Sequence, residues 1–316
     1  MAPIGRHRST HEIDIDAPAD VVYGIIADAA NWPQHFSPTI HVERREVDDS
    51  TELLSIWASA NGEVKSWTSR RVLDAAARRI EFRQEVSTPP VASMGGQWTV
   101  IETSADASKL VLEHDFDAVD DDPAGIKWIT DATDRNSNTE LANIKALAED
   151  WASVDELVFS FEDSVVVEGP LDKAYEFLYQ AWEWPTRLPH VSRLDLQENV
   201  KGLQVMSMDT STKDGSTHTT ESVRVCFPNE QRIVYKQLVT PSLMTAHTGE
   251  WTIRPDGEGL RATSKHTVTL NEKNISNVLG ADATTGTARA FLRKAVGGNS
   301  AATLALTKEF TEAGNE

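Results

Sequence analysis

One short segment of the chain combines an aromatic ring, a hydroxyl and a fixed positive charge at alternate positions. Trp67, Ser69 and Arg71 follow the pair Asn61-Gly62, which is a strong signal for a β-hairpin turn. Residues two apart on a strand share one face of a sheet, so we expect these three side chains to line up. An arginine keeps its charge and offers forked donors to carbonyl or enolate oxygens. The segment therefore predicts a binding site for an oxygen-rich, partly apolar molecule.

The same segment also fits a solvated strand face. Arg70 and Arg71 are adjacent, so at least one of them should face solvent. A shift of one residue in strand register would exchange the two side chains. Alternation alone therefore leaves open which arginine enters a cleft.

The composition indicates a globular protein large enough for two domains. Of the 316 residues, 40% are hydrophobic and 25% are charged, which argues against disorder. No apolar run is long enough to span a bilayer, and the first residues lack the apolar core of a signal peptide. The single cysteine, Cys226, fits a reducing compartment. We expect a cytoplasmic protein with no membrane partner.

The charge of the chain is strongly negative but unevenly distributed. A formal net charge of -19 makes a nucleic-acid partner improbable, because phosphate binding needs basic surface. Arginines nevertheless concentrate in the first half, at Arg44, Arg45, Arg70, Arg71, Arg78, Arg79 and Arg83. This density predicts a docking face for an anionic partner, although scattered surface charge explains it equally well.

The two halves of the chain match each other at a nearly constant offset. Residues 31–33 (Asn-Trp-Pro) match residues 183–185 (Glu-Trp-Pro), and residues 96–100 (Gly-Gln-Trp-Thr-Val) match residues 249–253 (Gly-Glu-Trp-Thr-Ile). A match that continues over about a hundred residues indicates two copies of one domain rather than a solenoid.

Each copy shows the same order of elements: a strand, two helical pieces, six short strands and a long helix. This order predicts an α+β fold in which a curved antiparallel sheet of about seven strands wraps around its last helix. We expect the domains to span residues 1–154 and 155–316, and Gly297-Gly298 to break or loosen the last helix. A cleft between sheet and helix is where a small molecule would bind.

Strand alternation places a histidine on the apolar face of each copy, at His114 and His266. Such a histidine is usually a satisfied core residue, but inside a cleft its titration suits proton transfer. Further candidates for the cleft walls or mouth are Trp32, His35, Phe82, Gln84, Trp98 and Tyr235. Core packing or surface exposure explains several of these equally well. We predict no metal and no cofactor site, because no Cys/His cluster, phosphate loop or nucleophile elbow is present.

The chain resembles the di-domain aromatase/cyclases of bacterial type II polyketide synthases, which belong to the START/Bet v 1-like helix-grip superfamily. Three features carry the resemblance: Trp32-Pro33 after the first helix, the Trp-x-Ser-x-Arg-Val motif of residues 67–72, and His114-Asp115-Phe116. The resemblance covers nearly the whole chain.

The resemblance implies an enzyme that folds a poly-β-ketone tethered by phosphopantetheine to an acyl carrier protein. Such enzymes promote first-ring closure, dehydration and aromatisation without a metal or redox cofactor. Di-domain members are associated with chains already reduced by a ketoreductase. The ketoreductase and ketosynthase are therefore possible partners besides the carrier protein.

The resemblance also implies roles for residues of the first copy. Arg71 would anchor a carbonyl or enolate oxygen, Ser69 would assist by hydrogen bonding, and His114 would transfer protons. Trp67 and Trp32 would shape the walls.

The second copy departs from this pattern, because Thr220 stands where Trp67 would be. We therefore expect the main site in the first domain. The second copy would be a weaker site or a packing partner, with Ser222, Arg224, Tyr235 and His266 as its candidate residues. Two other functions stay open: a helix-grip carrier that binds an aromatic or lipid ligand without chemistry, and a subunit that only organises the synthase.

Overall fold

The computed structural model describes residues 5–60, 63–211 and 217–313. The predicted turn at Asn61-Gly62 lies outside the described residues. The chain forms two compact units, Met1–Val154 and Asp155–Glu316.

The first unit is a seven-stranded antiparallel sheet with a long helix against it. Its strands are β1 (His7–Ile15), β2 (Thr39–Glu46), β3 (Thr51–Ala60), β4 (Glu63–Asp74), β5 (Arg79–Gln84), β6 (Val91–Ser104) and β7 (Ala107–Ala118). They lie in the order β1-β7-β6-β5-β4-β3-β2. The helices are α1 (Ala19–Ala27), α2 (Trp32–His35), α3 (Pro123–Glu149) and α4 (Trp151–Leu157), the last of which reaches into the second unit.

The second unit repeats this topology. Its strands are β8 (Val158–Val167), β9 (Val191–Val200), β10 (Leu203–Ser211), β11 (Thr217–Phe227), β12 (Arg232–Val239), β13 (Met244–Asp256) and β14 (Gly259–Leu270). They lie in the order β8-β14-β13-β12-β11-β10-β9. Its helices are α5 (Leu171–Tyr179), α6 (Trp184–Arg187), α7 (Ile275–Leu279) and α8 (Thr285–Glu312). The predicted helix-grip architecture is therefore confirmed in both halves.

Local sequence explains where the two long helices begin. Asp122 precedes α3 and accepts a hydrogen bond from the Gly125 amide at 2.8 Å. Thr284 precedes α8, where its hydroxyl and that of Thr287 each accept from the other residue's amide. These contacts satisfy amides that have no partner within the helix.

The apolar face of each sheet packs against its long helix. Leu110, Leu112 and Phe116 of β7 are buried, as strand alternation predicts, and so are Leu141 and Ile144 of α3. Burial of these side chains supplies the main stabilisation of the unit, at about 25 cal/mol per Å² of apolar surface. None of the helices in the described ranges is long and apolar enough to cross a membrane.

The expected break at Gly297-Gly298 is wrong, because α8 continues through both glycines. A Cβ on Gly297 would lie 2.0 Å from Nη1 of Arg293 and 3.1 Å from Oδ2 of Asp163. The glycine therefore leaves room for the ion pair that joins α8 to β8.

Candidate active site

A row of side chains crosses four neighbouring strands on the inner face of each sheet. In the first unit, cross-strand pairing places Arg71 opposite Phe82, Phe82 opposite Gly96, and Gly96 opposite His114. Directly opposed residues on antiparallel strands have Cα atoms about 4.5–5.5 Å apart, so the row is continuous. In the second unit the same positions hold Arg224, Tyr235, Gly249 and His266.

The arginine of the first unit is buried within the protein. Only 3% of Arg71 is exposed, whereas Arg70 is half-buried and pairs with Glu85. Nε and Nη2 of Arg71 donate to Oε1 of Glu52 at 2.8 and 2.5 Å. Nη1 donates to the Ile26 carbonyl at 2.8 Å, and Nη2 also donates to the Ala27 carbonyl at 2.7 Å.

These contacts turn the guanidinium toward protein acceptors rather than toward the expected substrate oxygen. Burial lowers the pKa of Arg71 from its usual value, and the Glu52 carboxylate opposes this shift. The Trp32 ring covers the guanidinium, with 5.1 Å between Cζ and the ring centroid. Glu52 is itself only 2% exposed. Arg71 and Glu52 therefore form a buried, hydrogen-bonded ion pair. Removing either residue would leave the other charge buried without its partner.

The first unit's histidine lies at the far end of the row. The His114 ring packs edge-on against Phe82, with centroids 5.4 Å apart. Its Nδ1 is buried and has no hydrogen-bond partner within the described part of the chain. Burial lowers the pKa of His114 to about 4.

The other predicted residues of the first unit take part in packing. Ser69 donates weakly to the Arg83 carbonyl at 3.4 Å. Trp67 and Trp32 pack on one apolar cluster, and Trp98 belongs to the main core. The ring of His35 contacts that of Trp151.

Gln84 lies at the end of β5, where its side-chain oxygen accepts from Ser87 at 3.4 Å.

The second unit encloses a cavity of about 440 Å³ between its sheet and α8. This volume lies within the ordinary range for small-molecule sites, about 300–1,000 Å³. Apolar side chains form much of the lining, including Leu188, Val191, Met206, Met208, Leu243, Trp251 and Leu292. The polar side chains that reach it include Ser222, Arg224, Tyr235, Gln237, His247 and His266.

Arg224 lines this cavity, and its positive charge has fewer protein partners than that of Arg71. It is also 3% exposed, and its Cζ lies 5.0 Å from the Trp184 ring centroid. Nη2 donates to the Leu178 carbonyl at 2.5 Å. Nη1 is buried without a partner among the described residues, and no carboxylate among them forms an ion pair with this arginine. Burial lowers the pKa of Arg224 from its usual value.

Tyr235 lies between Arg224 and His266 in the row, and its ring crosses the strand that carries Gly249. Its hydroxyl lies 3.0 Å from Nδ1 of His266. A Cβ on Gly249 would lie 2.2 Å from Cζ of the tyrosine ring, so only glycine lets the ring cross this strand. Burial raises the pKa of Tyr235, which keeps the phenol protonated and able to donate.

A second histidine continues the polar chain. Nε2 of His247 lies 3.1 Å from Nδ1 of His266, and Nδ1 of His247 lies 2.9 Å from Oε1 of Gln237. Nε2 of His266 lies 3.0 Å from the Ser264 hydroxyl. Burial lowers the pKa of His266 to about 4 and that of His247 to about 3. Both rings are therefore neutral near pH 7, and each can accept as well as donate.

Comparison with known proteins agrees with this architecture. Residues 6–149 match the family model described as polyketide cyclase / dehydrase and lipid transport. The chain is 46% identical to the granaticin polyketide synthase bifunctional cyclase/dehydratase of Streptomyces violaceoruber, over 94% of this chain and 92% of that protein. It is 43% identical to the actinorhodin polyketide synthase bifunctional cyclase/dehydratase of Streptomyces coelicolor, over 96% of each.

The chain belongs to the polyketide cyclase/dehydratase family. It is an enzyme of that family, as its sequence predicts. The crystal structure of the di-domain aromatase/cyclase BexL, from the BE-7585A biosynthetic pathway, superposes with a TM-score of 0.88 at 52% identity, covering 97% of this chain and 99% of that one. The di-domain aromatase/cyclase StfQ, from the steffimycin pathway, gives a TM-score of 0.85 at 35% identity, with coverage of 96% and 98%.

Sequence reasoning about this cyclase/dehydratase missed His247 and the meaning of Gln204. A signal for His247 was present, because it lies four residues before Trp251 and shares its strand face. Gln204 lies opposite Arg224, where the first unit has Glu52 opposite Arg71. The sequence shows that Glu52 is charged and Gln204 is not, but only strand register shows that each of them lies opposite an arginine.

The arginine-rich segment of the first unit is largely neutralised. Most of its arginines pair with carboxylates, namely Glu46, Glu52, Glu85, Asp20, Glu102, Asp74, Glu81 and Asp115. Complementarity with an anionic partner therefore receives little support from these side chains. Within the described ranges, no three or more His, Cys, Asp or Glu side chains are grouped so that they could hold a metal ion.

Proposed function

We propose that this cyclase/dehydratase acts on a ketoreduced poly-β-ketone tethered to an acyl carrier protein, and that the chemistry takes place in the carboxy-terminal cavity. The reaction would be first-ring closure followed by loss of water and aromatisation. One observation carries the choice of cavity: Arg224 has a buried nitrogen without a hydrogen-bond partner among the described residues, in the cavity that Tyr235 and the two histidines also line.

The type of substrate is supported by the relatives and by the lining of the cavity. The granaticin and actinorhodin proteins are described as polyketide synthase components that cyclise and dehydrate. A largely apolar cavity suits a carbon chain, and a few convergent polar groups would fix its orientation. Holding a flexible polyketone in one conformation lowers the entropic part of the barrier to ring closure.

The polar row suggests how the reaction is assisted. Ring closure and loss of water both pass through an enolate, whose oxygen needs a fixed positive charge. Arg224 is placed to supply that charge. Tyr235 would donate a proton to the departing hydroxyl. Neutral His266 would accept the proton released from the substrate carbon and pass it to the phenolate, so that both side chains return to their starting state. Carrier protein, ketoreductase and ketosynthase are the partners that this function requires.

The amino-terminal cleft is a second candidate for the reacting site. The observation that favours it is the buried Nδ1 of His114, which has no hydrogen-bond partner in the described ranges and could accept a proton there. Arg71 and Ser69, with Trp67, Trp32, His35, Phe82, Gln84 and Trp98 around them, would then form the site. Against this, Glu52 already neutralises Arg71.

The function is tested by adding the protein to a reconstituted minimal synthase with its ketoreductase and identifying the products. We expect a dehydrated, aromatised first ring that is absent when the protein is left out. A carrier without chemistry would bind the intermediates and leave the product profile unchanged, and that outcome would refute the proposal.

A further inference from the structure

The residue that lies opposite the buried arginine differs in charge between the two units. Glu52 of β3 lies opposite Arg71 of β4 and binds two of its nitrogens. Gln204 of β10 lies opposite Arg224 of β11 at the same place in the sheet. One unit therefore has a carboxylate at this position and the other has a neutral amide.

The amide of Gln204 donates to groups other than the arginine. Its Nε2 donates to the Tyr179 carbonyl at 3.1 Å and to Oε2 of Glu198 at 2.8 Å. Its Oε1 is buried, like Nη1 of Arg224, and neither atom has a partner among the described residues.

The groups around Arg224 do not cancel its charge. Tyr175, Tyr235 and Cys226 face it, and burial raises the pKa of each, so all three stay neutral near pH 7. Glu198 also raises the pKa of Arg224 electrostatically, but its effect is the smallest of the four, and no hydrogen bond or ion pair joins the two side chains among the described residues.

The oxygens of Glu198 are already engaged. They accept from the Tyr179 hydroxyl, the Gly202 amide and the Gln204 side chain. The carboxylate is thus held away from the arginine.

We propose that Gln204 is a positioning residue that leaves the charge of Arg224 available, so that the carboxy-terminal cavity binds its ligand as an anion, an enolate or a phenolate. This inference rests on the proposed function, because it explains why the second unit rather than the first would hold the reacting oxygen. It also assigns a ligand class: hydroxy-aromatic molecules that can ionise.

The physical consequence is a change in the ionisation of a bound acid. A positive charge within about 4–6 Å lowers the pKa of an acid by about 1–3 units, whereas burial alone raises it. A carboxylate at position 204 would occupy the arginine as Glu52 does and remove this effect. Binding of an anion would then weaken while binding of a neutral molecule of the same shape would not.

The test uses 4-nitrophenol, whose visible absorbance reports whether the bound molecule is a phenol or a phenolate. The full chain is titrated with pH in the presence of the probe. Three variants are compared with the wild type: Arg224→Met, Glu198→Gln, and the double change Glu198→Gln with Gln204→Glu. The double variant moves one carboxylate to the position that Glu52 has, without changing the net charge. Glu198→Gln is its matched control.

We expect the wild type and Glu198→Gln to bind the phenolate, with the pKa of the bound probe at least about one unit lower than in the other two variants, a tenfold preference for the anion. If the double variant binds the phenolate as the wild type does and Arg224→Met does not, the role of Gln204 is overturned while that of Arg224 stands. Arg224→Gln replaces Arg224→Met if circular dichroism shows that the latter is unfolded.

Failure of the proposed function is distinguishable from failure of this inference. If no variant changes the pKa of the bound probe, Arg224 holds no anion and the inference is overturned. The products of the Arg224→Met protein in the reconstituted synthase then decide the proposed function separately. An unchanged product profile would overturn that as well.

Discussion

At the scale of single residues, the two units differ at two positions of one shared row, which continues onto the strand beside the arginine. The pair Glu52 and Arg71 becomes Gln204 and Arg224, and Phe82 becomes Tyr235. In the second unit these differences leave an arginine that has no carboxylate partner among the described residues, and they add a phenol. Under the proposed function, two substitutions in a duplicated domain would thus turn a paired arginine into a reacting one.

The change Tyr235→Phe gives the second unit the residue that the first has at Phe82. We expect a protein that folds normally, since the ring still fits over Gly249, but loses about 10²–10⁴-fold in turnover because the proton donor is gone. Single-turnover product formation measures this loss. Because the apolar contacts stay, substrate affinity should change little, and a fall in affinity with unchanged turnover would contradict the assignment.

At the scale of secondary structure, alternation along strands predicted most of the architecture. The six short strands expected in each copy are present as β2 to β7 and β9 to β14, because half-buried strands carry a clear period of two. What alternation does not give is which residue lies across the neighbouring strand. The contacts of Arg71 with Glu52 and of His247 with His266 both depend on that register.

The break expected at Gly297-Gly298 shows a second limit of sequence reasoning. Helix propensity alone favours interruption there, but α8 continues, and the small residue at position 297 leaves space beside the Arg293–Asp163 ion pair that joins α8 to β8. Local preference was overridden by a tertiary contact that the sequence does not display.

Gly249 tests whether the strand arrangement positions the tyrosine. In Gly249→Ala the new Cβ would collide with the Tyr235 ring, so we expect a loss of about 1–3 kcal/mol in the free energy of unfolding, together with lower activity. Gly298→Ala is the matched control, because a Cβ there meets nothing within 4 Å and should stabilise α8 by about 0.5–1 kcal/mol. Denaturant unfolding of both variants measures the difference; equal effects of the two changes would contradict this positioning role.

At the scale of the whole molecule, two units of one fold would divide stability and chemistry between them. The first has a saturated ion pair and a pocket of about 880 Å³ that reaches His114, whereas the second has a cavity of about 440 Å³ in which Arg224 accompanies the two buried histidines His247 and His266. Those histidines also make the stability of the protein depend on pH. Their folded pKa values, about 4 and about 3, lie below the ordinary value of 6.5.

The sign of this dependence follows from proton binding. Below pH 6.5 the unfolded chain binds protons at His247 and His266, whereas both histidines stay unprotonated in the folded state until the pH reaches their lower folded pKa values. The contribution of the two histidines to the free energy of unfolding is therefore complete above pH 6.5 and is lost as the pH falls toward 4. The free energy of unfolding then changes by up to about 1.4 kcal/mol per pH unit for each histidine. Denaturant unfolding between pH 7 and about 5 measures the slope. His247→Gln should reduce it, and an unchanged slope would show that this ring is already charged when folded.

The location of the chemistry is tested most directly by removing each arginine in turn and identifying the products of the reconstituted synthase. Arg224→Met is compared with Arg71→Met carrying Glu52→Leu, because replacing both members of a buried pair by apolar residues leaves no buried charge without a partner. Arg44, the other partner of Glu52, is exposed and still pairs with Glu46. We expect the first protein to give shunt products without the aromatised ring and the second to give the wild-type profile. The opposite pattern, with Arg224→Met still forming the ring and the paired variant failing, would place the reaction in the amino-terminal unit and contradict this account.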